Sequence, residues 1–275
     1  MNDIYGWLRI SRQAYYQHQR RRLVRQEMEK AVCEQVRQIR QRHPKMGTRK
    51  LWQELQSWLA IENYKVGRDR LFDIMRKHDL LVQVRRRRRR TTWAGHWRCP
   101  NLLADMTVTR PNQAWVSDIT YVETEHGFAY LCLVTDLYSR RIMGYDLSDS
   151  LAVEGALRAF KMAYRDARGS LVGLIHHSDH GVQYTCHAYR QALAKRGMRT
   201  GTGEVGNCYD NAIAERINGI LKMEYGLDNR FVSLRQARRA VREAKWLYNH
   251  ERPHLSLNYQ KPHQVYINSV SNKVH

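Results

Sequence analysis

No apolar run in this sequence approaches the roughly 18 uninterrupted residues that a membrane span needs. Its opening residues, MNDIYGWLRISRQAYY, also lack an apolar stretch behind a basic flank. Neither a transmembrane helix nor a secretory leader is therefore expected. Cysteine is sparse: Cys33, Cys99, Cys132, Cys186 and Cys208 make an odd count with no CxxC pair and no zinc-finger spacing. A disulfide framework and a structural zinc site are both disfavoured, and a reducing, intracellular setting fits. Acidic residues are scarce beside basic ones, with 26 Asp and Glu against 47 Lys and Arg, a net charge of +21. The 275 residues are still 43% hydrophobic, enough to build two modest domains or one large domain with an appendage.

The positive charge is unevenly spread. Residues 1–100 hold 25 basic and 9 acidic side chains, whereas residues 101–275 hold 22 and 17. A front half that grips nucleic acid and a nearly balanced rear half with another task fit that asymmetry. A merely solvated basic surface would not need one half to carry most of the excess.

Residues 21–42 place Val24, Met28, Val32, Val36 and Ile39 at helical spacing, and His43-Pro44 ends the pattern. Thr48 is placed to cap a second helix carrying Leu51, Trp52, Leu55 and Leu59. Gly67 precedes a third helix with Leu71, Ile74 and Met75, opened by Arg68 and Arg70. Two short helices joined by a turn suit a helix-turn-helix-like DNA-binding unit, although an ordinary small bundle shows the same pattern. Six consecutive arginines follow, Arg85, Arg86, Arg87, Arg88, Arg89 and Arg90. Their mutual repulsion disfavours compact structure, and their position between two foldable segments suits a tether that tracks phosphate.

From residue 113 the texture changes. AWVSDITYV, FAYLCLVTDL and IMGYDL read as three strands, with Gly127 at the first hairpin turn. Ser150 is placed to cap a helix through LAVEGALRAFKMAYRDA. LVGLIHHSD reads as a fourth strand, 186–196 as a helix and MRT as a short strand. After a glycine-rich loop (GTGEVGNCYD), helices are expected from Asn211 to about Tyr225 and from Ser233 to about Tyr248. The order describes a mixed sheet covered by helices.

Three acidic residues occupy unusual places. Asp118 lies mid-strand among Trp115, Val116, Ile119 and Val122, where a carboxylate is costly unless paired or metal-bound. Asp179 closes the fourth strand, at the strand end where sheets of this kind bind ligands. Glu215 lies on the helix after the glycine-rich loop. Singly, each has an ordinary explanation: a buried ion pair, a turn with Gly181, a surface residue.

Together they resemble the catalytic core of retroviral-integrase-like DDE transposases, whose second and third acids have 35 residues between them, as Asp179 and Glu215 do here. More narrowly, the chain is similar to the second-frame (OrfB) protein of the IS-three family of bacterial insertion sequences. The matching text is RPNQAWVSDITYV, YLCLVTDLYSRRIMGY, HHSDHGVQY, GNCYDNAIAE with LKMEY, and YNHERPHLSL. Two stretches depart from the family pattern: TGTGEV before Gly206, where a serine-containing turn is commoner, and QKPHQVY at a helix start.

The resemblance implies an α/β fold, an RNase H-like mixed five-stranded sheet with flanking helices over 113–268. An all-α helix-turn-helix-like region would precede it, with 1–42 as an N-terminal helical region, 43–84 as the DNA-binding domain and 85–112 as a basic linker. It implies that Asp118, Asp179 and Glu215 bind two Mg²⁺ ions, with Mn²⁺ as a substitute, and that Lys222 is a basic residue serving DNA. Seven residues at roughly 100° each return to one helix face, so Glu215 and Lys222 point the same way, with Asn211 and Asn218 near that stripe. Arg252 and His254 would help hold DNA. The implied partners are double-stranded DNA (terminal inverted repeats and target), further copies of the chain on that DNA, and the upstream-frame protein OrfA or a fusion with it. The implied place is the bacterial cytoplasm, at the nucleoid.

His176, His177 and His180 crowd Asp179 but lack a second ligand cluster, so orientation of the acids and phosphate contact suit them better than zinc. Asp136, ending the second strand, reads as structural. The implied activity is metal-dependent cleavage at element ends followed by joining of the 3′-OH to DNA. A nuclease of the same fold and a non-enzymatic DNA-binding regulator are the alternatives. Neutralising the six arginines is expected to weaken DNA binding across all sequences and to flatten its salt dependence; an unchanged slope in a salt titration would make them bystanders.

Overall fold

The computed structural model describes residues 11–83, 102–103, 106–202 and 212–271. The arginine run 85–90, Cys99, Cys208, Asn211 and most of the glycine-rich loop lie outside the described residues. The chain forms two compact units, 1–83 and 84–275.

The first unit holds three helices: α1 (Arg12–Arg42), α2 (Thr48–Ile61) and α3 (Arg68–Lys77). Val32, Cys33 and Val36 of α1 share one core with Leu51, Leu55 and Leu59 of α2 and with Leu71, Ile74 and Met75 of α3. The apolar residues recur at three- and four-residue intervals, so each helix turns one stripe inward. Thr48 is the first helical residue and not the cap; Gly47 takes the cap position without a side-chain hydrogen bond.

The second unit is built on a five-stranded sheet ordered β3-β2-β1-β4-β5. Its strands are β1 (Ala114–Thr124), β2 (Gly127–Asp136), β3 (Ile142–Ser148), β4 (Ile175–Ser178) and β5 (Arg199–Thr202). β1, β2 and β3 form an antiparallel meander, while β4 lies parallel to β1 and β5 parallel to β4. β1 is therefore the middle strand, covered on both faces. On one face Trp115, Ile119, Cys132, Val134 and Met143 pack beneath α4 (Val153–Asp166), α5 (Val182–Thr185) and α6 (His187–Ala194). On the other, Val122, Ala129, Leu131, Leu133, Ile142 and Leu147 meet α7 (Ala212–Tyr225) and α8 (Leu234–His250). A 3₁₀ turn (Leu255–Leu257) and α9 (Pro262–Ser271) complete the unit, Tyr266 of α9 joining the first face.

Several boundaries differ from the sequence expectation. The fourth strand starts at Ile175, because Gly173 adopts a left-handed φ of 79° and turns the chain before it. Ala152, not Ser150, caps α4; the Ser150 hydroxyl accepts the Ala152 N–H and shapes the approach to the helix. The helix expected over 186–196 runs over His187–Ala194 with Cys186, extended, as its cap, and a short unexpected helix, Val182–Thr185, precedes it. Ser233 does cap α8, accepting the Gln236 N–H.

α4 lies so close to β3 that only glycine fits at 144: a Cβ there would stand 2.1 Å from the Ala159 carbonyl oxygen and 2.6 Å from the Ala163 nitrogen. Both are backbone atoms of a packed helix and cannot swing away. Gly144→Ala is expected to cost about 3 kcal/mol as α4 is pushed off the sheet. Urea unfolding checks this; an unchanged midpoint would mean the helix rides the sheet more loosely than it lies here.

Candidate active site

The parallel register of β1 and β4 builds the site. Ser117 pairs with Ser178, so Asp118 on β1 lies beside Asp179, the residue just past the end of β4, where adjoining strands run about 5 Å apart. Strand alternation turns Asp118 to the face covered by α7, while Ser117 points to the other face and meets His176 Nε2 at 2.9 Å. α7 crosses β1 at this point, and the Asn218 amide donates to Asp118 Oδ2 at 2.7 Å. Glu215 lies one turn earlier on α7, exposed; Lys222 lies one turn after Asn218, half-buried.

Asp118 is only 9% exposed. Burial pushes its carboxyl up from 3.8 to about 7, and the charges of Asp179 and Glu215 push the same way. The hydrogen bonds from Asn218 and from the Ile119 N–H (2.9 Å) oppose the shift without cancelling it. The three acids thus share one electrostatic site. They do not close into a chelate: among the described residues no three His, Cys, Asp or Glu side chains are grouped so as to hold a metal ion.

Asp179 is fixed by a turn, its Oδ1 accepting the Gly181 N–H at 3.1 Å. A Cβ at Gly181 would meet Asp179 Oδ1 at 3.0 Å and Gln183 Oε1 at 3.2 Å, so glycine keeps both oxygens close to the backbone. Gln183 donates to the Leu151 carbonyl at 2.7 Å, but its buried Oε1 has no hydrogen-bond partner. Asn218 Oδ1 is orphaned in the same way. Two buried acceptors without donors near the under-compensated Asp118 carboxylate form, with it, a donor set of hard oxygens, the chemistry that Mg²⁺ prefers. The amide oxygen of Gln183 was not legible in the sequence, since only the turn at Gly181 folds it towards Asp179.

The remaining sequence candidates separate. His176 is fully buried and held neutral, its pKa lowered to about 3 by burial and by neighbouring His177, while it contacts Ser117 and Tyr189. Asp136 is structural: its oxygens accept from Asn112 N–H, Ser139 N–H and Ser139 Oγ, closing the β2–β3 turn. Arg252 is placed away from solvent, 2% exposed, its guanidinium locked onto both oxygens of Glu224 at 2.7 and 2.8 Å. The sequence reading of Arg252 as a DNA contact is corrected accordingly, because that fork is already filled inside the protein. His254 is half-buried and joined to Ser256. In the first unit, Arg70 pairs with buried Glu29 at 2.5 Å and Arg68 Nε with Asp69 at 2.9 Å.

The integrase core domain family matches residues 108–208 and, through a second description of that core, residues 196–262; an HTH-like domain family matches residues 27–89. The insertion element IS600 31 kDa protein of Shigella sonnei is 38% identical over 220 residues, covering 78% of this chain and 79% of that protein. The putative transposase of IS986/IS6110 from Mycobacterium tuberculosis (strain H37Rv) is 39% identical over 187 residues, 65% of each chain. Among solved structures, the HTLV-2 integrase catalytic core in complex with magnesium is 19% identical, covers 57% of this chain and 97% of that one, and aligns with a TM-score of 0.45.

An RNase H-like sheet with an integrase-type core, in a chain that also carries an HTH-like domain, defines a DNA-binding polynucleotidyl transferase. The chain belongs to the insertion-sequence transposases of the IS-three family. Among the described residues no helix is long and apolar enough to cross a membrane.

The raised Asp118 carboxyl has a measurable consequence. Without divalent metal, the folded state keeps the Asp118 proton up to about pH 7, whereas an unfolded chain releases it near 3.8. The folded state binds more protons in that window, so stability falls as pH rises from about 4 to 7. The contribution is on the order of 4 kcal/mol at most. In EDTA, Asp118→Asn is expected to remove this slope and to raise the melting temperature at pH 8; a variant that melts lower there would show that the carboxylate is well compensated.

Proposed function

We propose that this transposase cleaves the ends of its element and joins the freed 3′-OH to target DNA, with Asp118, Asp179 and Glu215 as ligands of two Mg²⁺ ions. The observation that carries this reading is the buried Asp118 carboxylate, coupled to Asp179 and Glu215 and flanked by unpartnered amide oxygens. In the first reaction a water oxygen attacks the phosphorus at the element end, and the P–O3′ bond breaks to free the 3′-OH. In the second, that 3′ oxygen attacks a target phosphorus, a target P–O3′ bond breaks, and the strands are joined. When bound, the ions supply activation of the attacking oxygen and charge relief at the leaving one.

The chain's own residues prepare this chemistry. Asn218 and the Ile119 N–H hold Asp118 in one orientation. The Asx turn at Gly181 fixes Asp179 at the end of β4. Lys222 shares the α7 face of Glu215, where a cation suits a phosphate, and His254 lies on the segment after α8. We assign residues 43–84 to recognition of the terminal repeats and the arginines 85–90 to a phosphate-tracking linker. Further copies of the chain, and OrfA or a fusion with it, would complete the complex on the element ends, with Mn²⁺ able to replace Mg²⁺.

The test is direct. Asp118→Asn, Asp179→Asn and Glu215→Gln are each expected to lower cleavage and joining by at least about 10³-fold while leaving duplex binding largely intact. Pre-cleaved ends separate joining from hydrolysis alone. Full Mg²⁺-dependent joining by any one of the three variants would remove that residue from the ligand set.

A further inference from the structure

The second unit carries a positive surface that the sequence reading left unassigned. Residues 101–275 hold 22 basic and 17 acidic side chains, an excess of five. Helix α8 alone holds five basic residues, Arg235, Arg238, Arg239, Arg242 and Lys245, against one acid, Glu243. Four of the five excess charges are thus concentrated on one helix.

The helix sorts these residues by direction. Ala237, Val241, Ala244 and Tyr248 are buried against the sheet. Arg238 Nε bonds the Leu147 carbonyl at 3.0 Å and stitches α8 to β3, and half-buried Lys245 lies over the Tyr145 ring. Arg235, Arg239, Arg242 and Trp246 follow one another at intervals of four, three and four residues, which is one stripe, and all four are exposed. None of the three arginines in the stripe is engaged in an ion pair or hydrogen bond among the described residues. Glu243, four residues after Arg239, flanks the stripe, about 40° round the helix from that residue. Trp246 is 46% exposed, its ring stacked on His250 at 5.1 Å. Arginine and tryptophan on one exposed face is the composition of an interface.

We propose that this stripe binds the backbone of the target duplex without reading its sequence. Charge complementarity selects the class of partner. From Arg235 to Trp246 the helix rises about 16 Å, alongside roughly five phosphates on each strand of a duplex. α8 packs beside α7 on the same face of the sheet, the layer that carries Glu215. Neither amide of the helix is free for bidentate base reading: Gln236 Oε1 accepts the Val232 N–H, and Asn249 is buried with its amide paired to both backbone groups of Ile142. Phosphate contacts position DNA without specifying it. That suits the duplex with no fixed sequence, the target, and not the element end. Calling the duplex the target rests on the strand-transfer reading above; the binding measurement does not.

The experiment uses the full chain and the variant Arg235→Gln, Arg239→Gln, Arg242→Gln. For a random-sequence duplex, the slope of log affinity against log salt is expected to fall by about 2–3, with ~10- to 100-fold weaker binding near 0.1 M salt. With pre-cleaved ends held constant, the target concentration for half-maximal joining should rise by a similar factor, with joining at saturating target unchanged. Replacing the same three residues by lysine should keep the slope. An unchanged slope and affinity in the glutamine variant overturns the proposal. So does a slope lost equally in the lysine variant, or binding of element-end duplex weakened as much as that of random duplex. If the wild-type chain joins no strands, the strand-transfer reading fails, while the salt titration still decides whether the stripe holds DNA.

Discussion

A carboxylate in the middle strand of a covered sheet is the constraint around which the catalytic unit is arranged. Asp118 has β2 on one side, β4 on the other and α7 above it. Such a group is tolerable only if its charge is met or its proton retained. The protein supplies two hydrogen bonds and then places two further acids nearby. Local stability would call for an arginine, yet the side chain that meets the carboxylate is the Asn218 amide, which donates one hydrogen and leaves its own oxygen bare. The deficit is built in: among the described residues no cation pairs with Asp118, which keeps its proton up to about pH 7.

Helices and interior strands were largely legible in the sequence because burial imposes periods of 3.6 and 2. The stripe of Leu51, Leu55 and Leu59 and the dense apolar run of β2 leave few other readings. Ends were less legible. Whether Thr48 or Gly47 caps α2, or where β4 begins, depends on backbone angles such as that of Gly173, which side-chain patterning does not report. The acids were found through spacing and resemblance, not periodicity. Their closeness is a matter of register, Ser117 beside Ser178, and register between strands 60 residues apart has no local signature. Gln183 stayed hidden for the same reason.

The segment YNHERPHLSL shows how a motif can mark a family while one of its residues, Arg252, is turned inward and not towards DNA. Tyr248 donates to the Arg140 carbonyl, Asn249 pairs with both backbone groups of Ile142, and Arg252 is clamped by Glu224. Each bond ties the end of α8 to the β2–β3 turn, to β3 or to α7. The motif is a brace that sets how the helix beside α7 lies on the sheet. A guanidinium's partner is chosen by tertiary packing, so Arg252 and the exposed arginines of α8 look alike in sequence and differ completely in the fold.

Attraction and chemistry are thereby assigned to different parts of the molecule. Long-range attraction needs many cations on the surface, whereas phosphoryl transfer as proposed needs anions converging in a partly dry site. Put together, the two sets would neutralise each other; an arginine within reach of Asp118 would pair with it as Arg252 does with Glu224. Asp118 avoids this because its hydrogen bonds come from uncharged groups, the Asn218 amide and the Ile119 N–H. The incomplete convergence of Asp118, Asp179 and Glu215 follows from the same logic. Three like charges in a site of low dielectric repel until a cation intervenes, so a fold that held them tightly in advance would carry that repulsion throughout its life. Leaving Glu215 exposed on the first turn of α7 lowers that cost; under the proposed mechanism, closure of the site would depend on the arrival of positive charge.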